Sequence, residues 1–434
     1  MFNELKEKIL NKNAKIGVIG LGYVGLPLAI AFAKKGFKVW GIDTDKDRIT
    51  RLKKGQSYIL DLKPSDIISL QKDGSIVFSS DLSHIKKLNA FIICVPTPLL
   101  KTKEPDVSFI ISATEMIKQH MKRGQVVVLE STTYPGTTEE VVLPILESTG
   151  LKESQDFYLA FSPERIDPGN TQYFVTNIPK VVGGISRSST EITVLLYKQI
   201  IDKVMPVSSS KAAEMTKLLE NTFRIVNLGL INELTLMCDK LGMNIWEIID
   251  AARTKPYGFM PFYPGPGVGG HCIPIDPLYL SWKARAQGFE TRFINLASEV
   301  NGQMPHYVIG KVIDGLNRTK KALKGAKILL SGIAYKRDVP DLRESPAFEI
   351  IELLNKHEAK ISYYDPYLPY FKIDDIDLKC IKFSKETLKS FDCVVVVTDH
   401  SNVDYQFMAK NSKLVIDTRN ALKDVKDRAN IVRI

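Results

Sequence analysis

Lys15-Ile16-Gly17-Val18-Ile19 is a short apolar run, and Gly20-Leu21-Gly22-Tyr23-Val24-Gly25 follows it directly. LPLAIAFAKKG comes next, apolar at helical spacing, and then a second apolar run from Phe37 to Ile42 that ends in Asp43. This is GxGxxG between a strand and a helix, with an acid about 20 residues on, the pattern of a dinucleotide-binding βαβ unit. Strands apolar on both faces fit a parallel sheet covered by helices. The glycines permit a tight turn and let a pyrophosphate approach the helix N-terminus. Asp43 can accept hydrogen bonds from both ribose hydroxyls and would repel a 2′-phosphate, which favours NAD over NADP. Gly20, Gly22, Tyr23, Val24, Gly25 and Asp43 are therefore cofactor-binding candidates.

Further buried strands are expected at Phe91–Val95, Val126–Leu129, Phe157–Phe161 and Lys180–Gly183. Strand ends here carry Pro96-Thr97-Pro98, Glu130-Ser131-Thr132 and Ser162-Pro163-Glu164-Arg165. Ligands of an open parallel sheet bind outside the carboxyl ends of its strands, so these groups converge on one site. Singly each suits an ordinary turn; the shared position favours function.

At 434 residues the chain is too long for one core and should hold two or three domains. Its 44% hydrophobic and 25% charged residues are those of a soluble globular protein. No apolar run approaches a membrane span, and MFNELKEKILNKNAK lacks the apolar core of a signal peptide. Cys94, Cys238, Cys272, Cys380 and Cys393 are odd in number, scattered and without a CxxC pair. That argues against a disulfide framework or a metal site and fits a reducing cytoplasm. The net charge of +10 is spread along the chain, densest from Arg318 to Lys327, with no basic stripe interleaved with aromatics. A solvated surface biased toward phosphate-bearing ligands is expected, with neither nucleic acid nor membrane as partner.

From Lys211 to Leu241 the sole Gly or Pro is Gly229, and apolar residues repeat at three and four. The pattern predicts one long helix, stopped by Gly242, that serves as a spine between domains and as a dimer surface. Lys217 and Asn221 lie four apart on one face of it. They could donate to a developing oxyanion, a solvated polar face being the alternative. Three glycines and two prolines fall within Pro264–Gly269, and His271, Cys272 and Asp276 follow. A bare glycine loop gives a substrate access to a thiolate. A buried structural cysteine is the competing reading, and the loop chemistry favours a nucleophile.

After the basic stretch, Lys327–Ile333 reads as a strand, Ser345–Lys356 as a helix and Lys360–Tyr364 as a strand ending in Asp365. Later strands are expected at Cys393–Val397 and Leu414–Ile416. This order repeats the first block, as a second doubly wound domain that has lost the glycine fingerprint. Lys336, Arg343 and Arg419 fall at its strand ends, where charged donors suit a diphosphate, ordinary surface charge being the alternative. The fold expected is α/β, with two doubly wound, Rossmann-like domains joined by a long central helix.

GLGYVGLP, CVPTP, ESTTYPGTTEE, SPERIDPG, KLLENTFR, PGPGVGGHCIPIDP, AYKRDVPDLRESP and DTRN stand in sequence along nearly the whole chain. In these motifs the chain resembles the nucleotide-sugar 6-dehydrogenases of the UDP-glucose/UDP-mannuronate dehydrogenase family. The resemblance implies an NAD domain at 1–207, a helical dimerisation domain with a catalytic cysteine loop at 208–310, and a UDP-sugar domain at 311–434. It implies a four-electron oxidation at C6, from alcohol to carboxylate, using two NAD and a thiohemiacetal and thioester on Cys272. Lys217 and Asn221 match the pair that stabilises the oxyanions. Asp276 and Glu164 match the carboxylates that assist proton transfer and the hydrolytic water, with Thr132 nearby.

The implied NAD contacts are Gly20, Gly22, Tyr23, Val24, Gly25, Asp43, Arg48, Thr97, Thr132 and Arg343. The implied UDP-sugar contacts are Glu164, Arg165, Lys217, Asn221, Tyr263, Gly265, Gly269, His271, Lys336 and Arg419. Arg253 is the nearest match to an arginine that the family contributes from a partner subunit. No metal is implied, and the setting is a cytoplasmic homodimer.

Glucose-specific members usually carry a serine before the cysteine, where this chain has His271. FMPFYPGPGVGGHCIPIDPLYLSWKA resembles the N-acetylhexosamine branch, above all the UDP-N-acetylglucosamine 6-dehydrogenases, which would serve surface polysaccharide synthesis. UDP-N-acetylmannosamine enzymes share the core motif and differ at one stereocentre, which a few hydrogen bonds discriminate. A two-electron β-hydroxyacid dehydrogenase would need neither Cys272 nor a second nucleotide-like domain. A non-catalytic sugar-nucleotide sensor would not need Lys217, Cys272 and Asp276 together.

Overall fold

A computed structural model describes the chain apart from residues 60–61, 82–84, 101, 103, 168–169, 171, 271, 374–375 and 428. The described residues form two compact units, residues 1–220 with 278–289, and residues 221–277 with 290–434. Among them no helix is long and apolar enough to cross a membrane.

The first unit is built on β1 (Lys15–Ile19), β2 (Lys38–Ile42), β3 (Ile76–Ser79), β4 (Ala90–Ile93), β5 (Gln125–Leu129), β6 (Phe157–Phe161), β7 (Lys180–Gly184) and β8 (Val204–Pro206). They lie in the order β3-β2-β1-β4-β5-β6-β7-β8, parallel except where β6 meets β7. The first six have the Rossmann order, whose switch point lies between β1 and β4. Helices cover both faces. Ile16, Val18 and Val39 pack with Leu28 and Phe32 on one side; Phe91, Val127, Phe157 and Phe161 pack with Ile110 and Ile117 on the other. That double cover is why β4, β5 and β6 are buried at every residue and read as unbroken apolar runs. Each fully buried Phe contributes roughly 2–3 kcal/mol.

The second unit holds β9 (Lys327–Ser331), β10 (Lys360–Tyr364), a hairpin of β11 (Tyr370–Ile373) and β12 (Ile376–Lys379), then β13 (Cys393–Val396), β14 (Val415–Asp417) and β15 (Ile431–Arg433). Its main sheet is parallel, in the order β10-β9-β13-β14-β15. Ser345 caps the Pro346–Lys356 helix by accepting from Ala347 N, with Pro at the first helical position. A 27-residue helix, Arg292–Arg318, buries Val308, Val312 and Leu316 against Ile328, Leu330 and Ile351.

The central helix is continuous from Ser210 to Leu241, 32 residues. Gly242, at φ +68°, stops it, and Met243 N donates back to Cys238 O at 2.8 Å. A Cβ on Gly229 would lie 3.0 Å from Ala297, so the glycine admits the Arg292–Arg318 helix at close range.

One expectation needs correcting. The second sheet keeps the first glycine of the fingerprint. Gly20 N donates to Ile42 O, and Gly332 N to Tyr364 O, both at 2.8 Å. Their φ values are +89° and +77°, and a Cβ would lie 2.6 Å from Cys94 O in one case and 2.3 Å from Thr398 O in the other. Asp43 Oδ2 accepts from Leu21 N at 2.8 Å; Asp365 Oδ2 accepts from Ile333 N at 2.8 Å. The turn and the terminal acid are preserved, and only the later glycines are gone.

Candidate functional site

The three fingerprint glycines do different things. Gly20 makes the turn through its positive φ. Gly25 packs helix on strand, since a Cβ there would lie 1.9 Å from Gly20 O. Gly22 faces open space, with nothing within 4 Å of a built Cβ. Tyr23 is exposed, and Val24 leads into the Gly25–Lys34 helix with no side-chain cap. A helix N-terminus that lacks a side-chain acceptor beside an open glycine fits a pyrophosphate.

Asp43, 7% exposed, holds the turn through Leu21 N and accepts from Asp45 N at 2.9 Å and Arg48 Nη1 at 2.7 Å. Arg48 lies 5.5 Å from the Tyr58 ring centroid, and Tyr58 Oη donates to Leu21 O. Burial drives the Tyr58 phenol well above its ordinary pKa, so it stays a donor. The fold brings Asp43 and Arg48 to the same side of the glycine turn.

Thr97 follows β4 and is buried, its carbonyl accepting from Tyr279 Oη. Thr132 follows β5, half-buried, between Ser131, which donates to Val95 O at 2.7 Å, and Thr133, which bonds Thr137 at 2.8 Å. Glu164 follows β6. Its Oε1 accepts from Arg165 N at 2.7 Å and Ile166 N at 2.6 Å, and its Oε2 lies 3.5 Å from Lys180 Nζ. The Arg165 side chain is held by Glu220, at 2.6 and 3.3 Å, and by Pro179 O at 2.6 Å.

Lys217 and Asn221, one turn apart on the central helix, are 9% and 4% exposed, so neither belongs to a solvated face. Among the described residues no hydrogen bond or ion pair engages the Lys217 side-chain amine. Asn221 Nδ2 donates to Asp276 Oδ2 at 2.5 Å. Asp276, 2% exposed, opens the Asp276–Ala286 helix, and its N–H donates to Cys272 O at 2.8 Å. Cys272 is exposed. An exposed sulfur one turn before a helix start sits where backbone N–H groups favour an anion.

The glycine loop is shaped by its neighbours in the second unit. Asn232 Oδ1, from the central helix, accepts from Gly265 N at 3.1 Å, and Asn232 Nδ2 donates to Asn301 Oδ1 at 2.8 Å. A Cβ on Gly265 would lie 2.4 Å from Arg419 Nη1, and one on Gly269 would lie 2.7 Å from Glu344 O and 2.8 Å from Tyr335 Cβ. Gly270 N donates to Arg343 O at 3.0 Å. The loop therefore lies on the strand-end loops of the second sheet, and its glycines are spaces for Arg419 and Tyr335.

Arg419 Nε donates to Val397 O at 2.9 Å. Burial pulls its pKa below the ordinary value against the opposing charge of Asp399, and no carboxylate oxygen comes within ion-pair range of it among the described residues. Its two terminal nitrogens remain for an anion. Lys336 is half-buried in the loop after β9, and Arg343 forms a fork with Asp341, Nη2 to Oδ2 at 2.6 Å. Tyr263 stacks on Trp246, centroids 5.8 Å apart, and bridges Arg253 at 3.1 Å and Asp250 at 2.9 Å. His271 lies outside the described residues. Among those described, no group of three His, Cys, Asp or Glu is placed to hold a metal.

Sequence reasoning missed several buried polar residues that shape these loops. Glu214, 0% exposed, accepts from Gly136 N at 2.6 Å and from Thr138 N and Oγ1 at 2.9 and 2.7 Å. It caps a π-helical turn, Thr138–Val142, that follows the Thr132 loop. His400 Nε2 lies 3.1 Å from Asp365 Oδ2, and Asp338 N donates to its Nδ1 at 2.9 Å. The one signal available was the position of Asp365 at a strand end.

Models of the UDP-glucose/GDP-mannose dehydrogenase family match in order: its NAD binding domain at residues 14–201, its central domain at 211–303 and its UDP binding domain at 329–424. A UDP-N-acetyl-D-glucosamine 6-dehydrogenase of Pseudomonas aeruginosa is 38% identical over 359 residues, 82% of this chain and 84% of that protein. A UDP-N-acetyl-D-mannosamine dehydrogenase of Methanococcus maripaludis is 35% identical over 424 residues, 94% of this chain and 93% of that protein. The solved structure of a UDP-D-ManNAc dehydrogenase from Pyrococcus horikoshii superposes with a TM-score of 0.88 at 32% identity, covering 96% of this chain and 98% of that one. With the dinucleotide cradle and the second nucleotide-type sheet in place, the chain belongs to the UDP-glucose/GDP-mannose dehydrogenase family and is an NAD-dependent UDP-sugar dehydrogenase.

Proposed function

We propose that this enzyme oxidises the C6 hydroxyl of UDP-N-acetylglucosamine to the carboxylate through a covalent intermediate on Cys272. The observation that carries the reading is the exposed Cys272 at a helix start, one turn from the buried Asp276–Asn221 pair. NAD supplies the hydride acceptor when bound, two per substrate, so that one alcohol and one water give one carboxylate and three protons.

The Cys272 thiolate adds to the C6 aldehyde, forming a C–S bond and moving the carbonyl electron pair onto oxygen. Lys217 and the Asn221 amide donate to that oxyanion. After the second oxidation the carbon is a thioester. Glu164 takes a proton from water as the water oxygen adds to the thioester carbon, and Asp276 assists the proton transfers. The C–S bond then breaks and the thiolate leaves. Gly20, Gly22, Tyr23, Val24, Gly25, Asp43, Arg48, Thr97, Thr132 and Arg343 hold the cofactor. Arg165, Arg253, Tyr263, Gly265, Gly269, His271, Lys336 and Arg419 hold the UDP-sugar. The working division is 1–207 for NAD, 208–310 for dimerisation and the cysteine loop, and 311–434 for UDP-sugar.

GGHC and the similarity to UDP-GlcNAc 6-dehydrogenases from two organisms support the substrate. UDP-N-acetylmannosamine is the second reading, favoured by the longer match to such enzymes and the 0.88 TM-score. Rates with UDP-GlcNAc, UDP-ManNAc and UDP-glucose test this. UDP-GlcNAc should have the highest kcat/KM, and a much higher value for either rival would overturn the choice. We propose further a cytoplasmic homodimer supplying a surface polysaccharide. The homodimer is supported by an exposed apolar row on the central helix, Leu219, Phe223, Leu230, Met237 and Leu241.

A further inference from the structure

Behind Glu164 stands a cluster of ionisable side chains that no step above uses. Glu130 follows β5, Lys180 opens β7, Tyr197 closes the Arg187–Tyr197 helix and Cys94 follows β4. Lys180 Nζ lies 2.9 Å from Glu130 Oε2 and 3.5 Å from Glu164 Oε2. Tyr197 Oη donates to the other oxygen of Glu130, and Lys180 Nζ lies 5.2 Å from the Tyr197 ring centroid. Glu130 is 1% exposed, Lys180 5% and Tyr197 0%. The remaining neighbouring charges, Arg165 and Glu220, are paired with each other.

Burial pushes the Glu130 carboxyl, the Cys94 thiol and the Tyr197 phenol up. Burial alone would lower Lys180, but Glu130 and Glu164 outweigh it and hold the ammonium charged. Two carboxylates thus share one fixed cation. An ion pair of this kind costs several kcal/mol of desolvation, which apolar residues would avoid. Its geometry is specific. One Glu164 oxygen is held by two backbone N–H groups, and the other faces Lys180.

We propose that Lys180 and Glu130 are positioning residues that act in opposition on Glu164, the cation favouring its carboxylate form and the buried anion opposing it. The proposal rests on Glu164 accepting the proton of the hydrolytic water. Removing Lys180 should make Glu164 hold its proton to higher pH; removing the Glu130 charge should do the reverse. A purely structural role would give no such opposition.

The test is the pH profile of kcat for acid formation in Lys180→Met, Lys180→Arg, Glu130→Gln and Glu164→Gln, with the full-length enzyme. In Lys180→Met the acidic limb should move up by about one pH unit. In Glu130→Gln the limb should move down, and in Lys180→Arg it should keep the wild-type position. KM for the UDP-sugar should hold in each. Movement of both limbs in one direction, or of neither, overturns the proposal. If Lys180→Met fails to fold, Glu130→Gln decides alone, because it keeps the Lys180–Glu164 pair, and an unmoved limb there overturns it. Acid formation by Glu164→Gln at the wild-type rate would sink the reading of Glu164 itself. A slow Glu164→Gln with unmoved limbs in the others sinks only the positioning roles.

Discussion

Cys272 stands out in the sequence because its setting is local: glycines before it and an acid four residues after it. The long-range pairs that hold loops inside each unit do not. Glu130 meets Lys180 across 50 residues, Gly136 meets Glu214 across 78, and Gly265 meets Asn232 across 33. Periodicity within one element carries no trace of such pairs. Replacing Cys272 by Ser should leave UDP-sugar affinity within about twofold and abolish acid formation, since an alcohol is a far weaker nucleophile. Titration calorimetry and product assay check this. Asp365 gives a pH prediction. Burial pushes its carboxyl up, but the hydrogen bond to His400, with those from Tyr367 and Ile333 N–H, outweighs that and holds it below its ordinary value. A depressed pKa contributes stability above the unfolded value of about 3.9. That stability is lost as pH falls through the folded value. Asp365→Asn should be destabilised by on the order of 1–3 kcal/mol at pH 7. Its melting temperature should fall less than the wild type's between pH 5 and pH 3, as a thermal melt series would show.

At the scale of elements, the glycine turn and the doubly wound order were readable because central strands such as β4, β5 and β6 are apolar at nearly every position. β8 and β15, three residues each, include Pro206 and Arg433 and leave no apolar run. Gly332 was overlooked because one glycine is weak without its two companions; only the bond to Tyr364 O reveals the repeat. The fingerprint glycines separate fold from binding. Gly25→Ala drives a Cβ to 1.9 Å from Gly20 O and should cost several degrees of Tm along with NAD binding. Gly22→Ala meets nothing within 4 Å, so it should melt near wild type while raising KM for NAD at least about tenfold. Melting curves beside cofactor titrations distinguish the two.

For the whole molecule, two nucleotide-type sheets and a long helix were foreseeable from repeated strand–helix order, whereas the assignment of each loop to its unit required coordinates. The exposed apolar row on the central helix predicts self-association. Light scattering should give twice the 48.7 kDa chain mass, and Leu230→Glu should shift it toward one. The central claim is a four-electron oxidation held together by a covalent bond to Cys272. NADH formed per UDP-GlcNAc consumed tests it most directly. Two are expected, with no aldehyde released, and a ratio of one would contradict a covalent four-electron route.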